Sequence, residues 1–322
     1  VNIDAPIDST LAGLFLLAPR EPLTEWQLFN LDQFIMNDGK LAIFANSYDV
    51  SMNNGYANQR DLNLNGFLNH YGLGIEKNLI IDNNSASVPV PRQQGFIRYY
   101  QQVQVPFLAT LTTLNKENTI TRQLDQLQTY FASSIDTTLA VEKGYDVDVL
   151  MYTSELSGRQ WGPTIQMNVL KQWTEQDFPE SHIPVAAIVN GEFTSYFAES
   201  GPPQKPVQAA PAESGNEAAE PQFEEYNGPF KASADGENRL FLMGDGNIGT
   251  GDFVDPRGLL FMVNTADWRA QTEDLISIRS KVIAISPLKP VSNMTRKIVK
   301  WSNHIGPVVF AVLLGIILWQ IR

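Results

Sequence analysis

Residues 13–17, GLFLL, form a short continuous apolar run suited to a strand buried on both faces. The period then changes. After the proline-marked turn REPLT, the apolar positions Leu28, Leu31 and Ile35 of TEWQLFNLDQFIMNDG fall on one helical face. Thr24 with Gln27 three residues on makes a capping box, and Gly39 stands where a C-terminal cap belongs. The apolar run LAIFAN follows. Strand, helix, strand predicts a βαβ unit, and so a parallel sheet with a right-handed crossover. Further strands are predicted at NLIID (78–82), VDVLMYTS (147–154) and PVAAIVN (184–190), and a helix around Leu62 to Tyr71, ended by Gly72 and Gly74. The alternating, proline-rich SVPVPRQQGFIRYYQQVQVP (87–106) reads as an edge hairpin or a long loop.

From Glu199 to Phe230 no apolar period survives. Pro, Ala, Glu, Gly and Ser dominate, which predicts a flexible linker. A strand at Leu240–Met243 then leads through a glycine-rich loop to a helix starting near Asp255. A strand as apolar as LFLM needs neighbours, so it is expected to rejoin the earlier sheet. The expected organisation is an α/β domain in two parts, 1–198 and 231–290, interrupted by the linker at 199–230. A basic juxtamembrane segment at 291–303 and a transmembrane helix at 304–322 follow. The anchor reading rests on the uncharged run IGPVVFAVLLGIILW between Trp301 and Trp319. On a helix those tryptophans stand roughly 27 Å apart, close to a hydrocarbon core of about 30 Å. Pro307, Leu313 and Gly315 belong to that run, with Leu313 near its centre. A first residue of Val predicts a processed form or a fragment, with sequence upstream.

Composition narrows the chemistry. A net charge of -12 over 322 residues argues against nucleic acid as a partner, because polyanions select clustered Lys and Arg. The absence of cysteine excludes disulfides, thiolate metal sites and a Cys nucleophile. RLFLMGDGNIGTGDF (239–253) contains the spacing G-x-G-x-x-G at Gly244, Gly246 and Gly249. In a dinucleotide site the third glycine lies in the first helical turn. Here the first credible helix start, Asp255 before Pro256, comes six residues later, and Asp245, Asp252 and Asp255 put negative charge where phosphates would bind. The spacing from Asp245 does not fit an EF-hand either. A polar turn at a strand end is the main reading, with Asp245, Asn247 and Asp252 as candidate ligand contacts, since strand ends are where open α/β sheets bind ligands. No cofactor is expected. Of the three histidines, His70 and His182 could serve a hydrolase only by clustering with a serine and a carboxylate, and no G-x-S-x-G elbow is present.

The string NRLFLMGDGNIG with GLLFMVNTADWRAQTEDLISIRSK, and the N-terminal LFLLAPREPLTEWQLFNLDQFIMNDGKLAIFAN, resemble the GldG-like family, the gliding-motility auxiliary components of ABC transporters. NGEFTSYF (190–197) resembles the family at the corresponding place. The resemblance implies a class I glutamine amidotransferase-like or flavodoxin-like α/β fold, with a mostly parallel sheet, flanking helices and one C-terminal membrane helix. It also implies an extracytoplasmic domain at the bacterial inner membrane, beside an ABC permease and ATPase. Arg296, Lys297 and Lys300 ahead of the terminal run favour the opposite side by the positive-inside rule. The amidotransferase nucleophile is a cysteine, absent here, so the inherited fold is expected to be non-catalytic. No Walker motif occurs, so ATP hydrolysis belongs to a partner subunit.

Overall fold

The computed structural model describes all residues except 1, 53, 169–170, 208–221, 252–254, 270–292 and 321–322. The chain divides into two units, Val1–Lys281 and Val282–Arg322. In the first, β1 (Gly13–Leu17), α1 (Glu25–Met36) and β2 (Lys40–Phe44) precede β3 (Tyr48–Ser51), β4 (Tyr56–Gln59) and α2 (Asn65–His70). Next come β5 (Gly74–Ile75), β6 (Asn78–Asp82) and the long pair β7 (Ser85–Gln94) and β8 (Ile97–Leu111). The chain continues through β9 (Thr113–Leu114), β10 (Leu127–Gln128), β11 (Ile135–Asp136), α3 (Thr138–Glu142) and β12 (Asp146–Tyr152). The remainder holds β13 (Ser157–Trp161), β14 (Thr164–Gln166), β15 (Pro184–Thr194), β16 (Lys205–Val207), β17 (Gln222–Glu224), β18 (Ser233–Met243) and α4 (Pro256–Arg269).

The capping box forms: the Thr24 side chain accepts from Gln27 N–H at 3.2 Å, and the Gln27 side chain accepts from Thr24 N–H at 3.0 Å. β1 and β2 pair in parallel, as the βαβ pattern requires. β18 rejoins the sheet between β2, to which it is parallel, and β15, to which it is antiparallel. β2 and β18 are apolar on both faces because helices cover both. Leu41, Ile43, Leu240 and Leu242 cluster with Leu31 and Ile35 of α1, while Ala42, Phe44, Phe241 and Met243 cluster with Phe261 and Trp268 of α4. The alternation follows the two-residue period of a strand. Burial of each such large side chain contributes about 1.5–3 kcal/mol.

A mostly parallel, flavodoxin-like sheet with flanking helices is not what forms. The fold is mixed and strand-rich: a six-stranded sheet of order β1-β2-β18-β15-β12-β9, with five smaller sheets among the described residues. Only β1, β2 and β18 run in parallel; β15, β12 and β9 join antiparallel. Parallel neighbours need long crossovers. Between β2 and β12 the chain instead makes hairpins and short ribbons, with only the brief helices α2 and α3.

In the second unit, α5 (Asn293–Gln320) has Pro307 inside it and Trp301 exposed. No helix among the described residues is long and apolar enough to cross a membrane. This overturns the expected transmembrane helix at 304–322 and the inner-membrane, extracytoplasmic placement that rested on it. The uncharged run 305–319 rises only about 22 Å on a helix, short of a core of about 30 Å, and Lys297, Lys300 and His304 occupy the turns before it. Leu313, Gly315 and Trp319 fall on this helix, and their side chains lie outside the described residues. The middle of the expected linker, 208–221, also lies outside them; on either side of it β16 pairs with β17.

Candidate functional site

The parallel strands β1, β2 and β18 end on a common edge, and the glycine loop leaves β18 there. The three glycines of the G-x-G-x-x-G spacing have separate local causes. At Gly244 a Cβ would lie 1.9 Å from the Ser133 carbonyl oxygen, because Gly244 N–H donates to Val185 at 2.9 Å while its carbonyl accepts from Ser133 at 2.7 Å. At Gly246 a Cβ would sit 3.1 Å from Ala18 Cα and from the Phe44 carbonyl. Gly249 turns with φ +72°. The loop is thus shaped by contact with neighbouring backbone, and α4 begins only at Pro256, with Asp255 Oδ1 accepting from Arg257 N–H at 2.9 Å.

Asp245 is fully buried. Its Oδ2 accepts the N–H of Tyr130 at 2.7 Å and its Oδ1 the N–H of Asn247 at 2.8 Å, and the Ile248 N–H adds a third donor. Desolvation outweighs these donors and pushes its carboxyl up to about 7. Asn247, partly buried, donates through Nδ2 to the Tyr130 carbonyl at 2.9 Å, so Asp245 and Asn247 clasp both backbone groups of one residue. Asp252 lies outside the described residues. Sequence reading missed Tyr130, which sits in a stretch without a periodic signal. Its hydroxyl lies 3.4 Å from Asp255 Oδ2. Burial first, then the charges of Asp255 and Asp245, push its phenol up to about 12.

A second polar layer continues along the same edge. Asn46 at the end of β2 receives Arg60 through its Oδ1 at 2.7 Å, and the Ser47 N–H donates to the Ser133 hydroxyl at 3.0 Å. Glu76 takes hydrogen bonds from Ser134 and Asn78, and Arg159 bridges Glu76 at 3.4 Å and Glu180 at 2.9 Å. These groups hold the small sheets to the strand ends.

The two histidines of the first unit do not assemble a hydrolytic centre. His70 Nε2 meets the Thr194 carbonyl at 2.8 Å and its ring packs on Tyr71 and Tyr196. The hydroxyl of Ser154 donates directly to Asp82 at 2.6 Å, and His182 contributes only its backbone N–H, to the Ser154 carbonyl at 3.1 Å. A general base must stand between serine and carboxylate, and here no imidazole does.

Two surface features remain. A cleft of about 310 Å³ lies between α1 and residues 226–231, lined by Phe29, Phe34, Tyr226 and Phe230. Its amides are tied into the fold: Asn30 donates to Ile3, and Gln33 bonds both the N–H and the carbonyl of Lys231. The other feature is the β7–β8 ribbon. Gly95 and Phe96 form its two-residue turn, with φ +62° at Gly95 as such a turn needs at its first position. Phe96 stands fully exposed at the tip.

A family model described as an ABC-type uncharacterized transport system matches residues 1–275. No curated protein matches the chain. Among solved structures it is similar to the mmIFT52 N-terminal domain, at 13% identity and a TM-score of 0.41, over 82% of this chain and 81% of that one.

Proposed function

The chain belongs to the auxiliary-component family of ABC-type transport systems, and from that premise we propose that it is a non-catalytic accessory subunit that works by binding the permease and ATPase subunits. The observation that carries the non-catalytic reading is the closed strand-end edge. The place where an open sheet would offer a ligand site is filled by Asp245 and Asn247 clasping Tyr130. In this reading those two residues brace the loop. ATP hydrolysis belongs to the partner ATPase, since no Walker motif occurs in the sequence. The GldG-like resemblance supports a transporter of the gliding-motility or export type.

The test is purification of the chain in mild detergent from cells that also express the transporter subunits. Permease and ATPase should come with it in fixed ratio, and the isolated chain should not hydrolyse ATP. Purification of the chain without either subunit would refute the assignment.

A further inference from the structure

The β7–β8 ribbon pairs from Ser87↔Gln104 out to Gln94↔Ile97, so it reaches about 26 Å at roughly 3.3 Å per residue. Its outer half is solvent-exposed on both faces. Side chains alternate across a ribbon, and the register distributes them evenly: Arg92 faces Tyr99 across the strands on one side, while Arg98 and Tyr100 share the other. Phe96 and Tyr100 are 107% and 74% exposed, and Ile97 is 70% exposed. Phe, Tyr and Arg are the residue types that dominate binding energy at protein interfaces. A water-facing tip made of them has no role in holding the fold.

Charge identifies the occupant. The chain carries a net charge of -12, yet no acidic residue occurs between Asp82 and Glu117, and the ribbon bears only the cations Arg92 and Arg98. An acidic surface complements it. The two-sided arrangement calls for an occupant that surrounds the tip, which a pocket does and a flat surface does not. Hydrocarbon would also surround it, but Gln93 and Gln94 lie at the depth of Phe96, opposite Arg98 and Ile97. Burying primary amides and a guanidinium without acceptors is costly, whereas a protein pocket supplies carbonyls and carboxylates.

We infer that the tip of the β7–β8 ribbon is the anchor by which this chain holds its transporter, Phe96 and Tyr100 filling an apolar pocket on a transporter subunit while Arg92 and Arg98 meet carboxylates on its rim. This rests on the accessory-subunit reading above. The experiment co-expresses the full chain with the permease and ATPase subunits and measures the amount of each retained per chain. The double variants Phe96→Ser with Tyr100→Ser, and Arg92→Glu with Arg98→Glu, are compared with Trp161→Ser, a change at another exposed aromatic. Both tip variants should retain at least about tenfold less transporter, the scale of losing one strong interface anchor, with unchanged thermal unfolding, and the Trp161 variant should match wild type. Wild-type retention by the tip variants overturns this inference alone; failure of the wild-type chain to retain any subunit overturns the accessory reading with it. Flotation with phosphatidylcholine–phosphatidylglycerol vesicles is the second arm. Wild type should stay unbound, and flotation that the Phe96 and Tyr100 changes abolish would replace the protein pocket with a lipid surface.

Discussion

The carboxylate of Asp245 accepts the backbone N–H of Tyr130 at 2.7 Å, across 115 residues of sequence. This bond fastens the end of the central strand β18 to a segment that has little regular structure of its own. It also makes the fold sensitive to pH. An ordinary aspartate releases its proton near 3.9, whereas burial holds Asp245 protonated up to about 7. Between those values the folded chain binds a proton that the unfolded chain has lost. The stability linked to this group is therefore complete below about pH 4 and is lost as pH rises to 7, on the order of 4 kcal/mol. Asp245→Asn cannot titrate, and its amide faces one N–H with a donor, costing about 1–3 kcal/mol. Urea unfolding should show wild type ahead at pH 5, with its advantage shrinking by pH 8. A constant difference at both pH values would contradict the argument.

Gly244→Ala should be among the most damaging small substitutions in the chain. The added carbon meets the Ser133 carbonyl oxygen 1.9 Å away, and relieving that clash would pull apart the backbone hydrogen bond between Ser133 and Gly244. A loss of about 3 kcal/mol is expected. Gly236, also on β18, has open space where its Cβ would go, so Gly236→Ala should stay within about 0.5 kcal/mol of wild type. Denaturation of the pair measures the contrast, and equal effects would mean that the loop backbone gives way.

Asp32, buried on α1, accepts from the Tyr71 hydroxyl at 2.5 Å, the Ser195 hydroxyl at 2.7 Å, the Tyr196 N–H at 2.7 Å and the Gln33 side chain at 2.9 Å. Burial, then the neighbouring Asp32 charge, pushes the Tyr71 phenol well above its usual value, so it remains a donor. Asp32→Ala orphans several buried donors together and should cost about 3 kcal/mol or more. Tyr71→Phe removes one donor and leaves the carboxylate three others, which predicts about 1–1.5 kcal/mol. A larger effect from Tyr71→Phe than from Asp32→Ala would rule out Asp32 as the hub.

Titration calorimetry with ATP, and separately with NAD, should give no saturable heat. Gly244 and Gly246 are required by close backbone neighbours, and the helix begins seven residues after Gly249, at Pro256. The third glycine therefore does not lie in the first helical turn, as it does in a dinucleotide site. Micromolar saturation by either nucleotide would reverse this reading.

Local chemistry was legible wherever a residue's neighbours in sequence are its neighbours in space. Thr24 and Gln27 announce the start of α1, Asp255 and Pro256 that of α4, and the five-residue apolar run GLFLL a strand; the expected burial on both faces does not form, because β1 lies at the sheet edge, where only Leu14 is buried and Leu17 is exposed. Strand direction was not legible in this way. PVAAIVN reads equally well as a parallel or an antiparallel strand, and what decides is the route the chain takes between strands. Tyr130 carried no signal because the side chains that clasp its backbone, Asp245 and Asn247, lie 115 and 117 residues away. Tyr226, in a segment where no apolar period survives, packs its ring 5.2 Å from Trp26 and 5.3 Å from Phe29. The proline-rich alternation of 87–106 left a hairpin and a long loop open, and neither the turn at Gly95–Phe96 nor the residues left in water around it could be read from it.

β18 occupies the middle of the six-stranded sheet although it is the last of that sheet's strands to be synthesised. A nascent chain that has made β2 and β15 holds two apolar strands with nothing to join them until residues 233–243 leave the ribosome. Their open edges are the kind that recruit chaperones or other chains. Native topology is therefore reached late in translation, through contacts of long sequence separation, which makes for slow folding. Any truncation before β18 removes the strand that unites the two halves, and no stable N-terminal fragment should survive it.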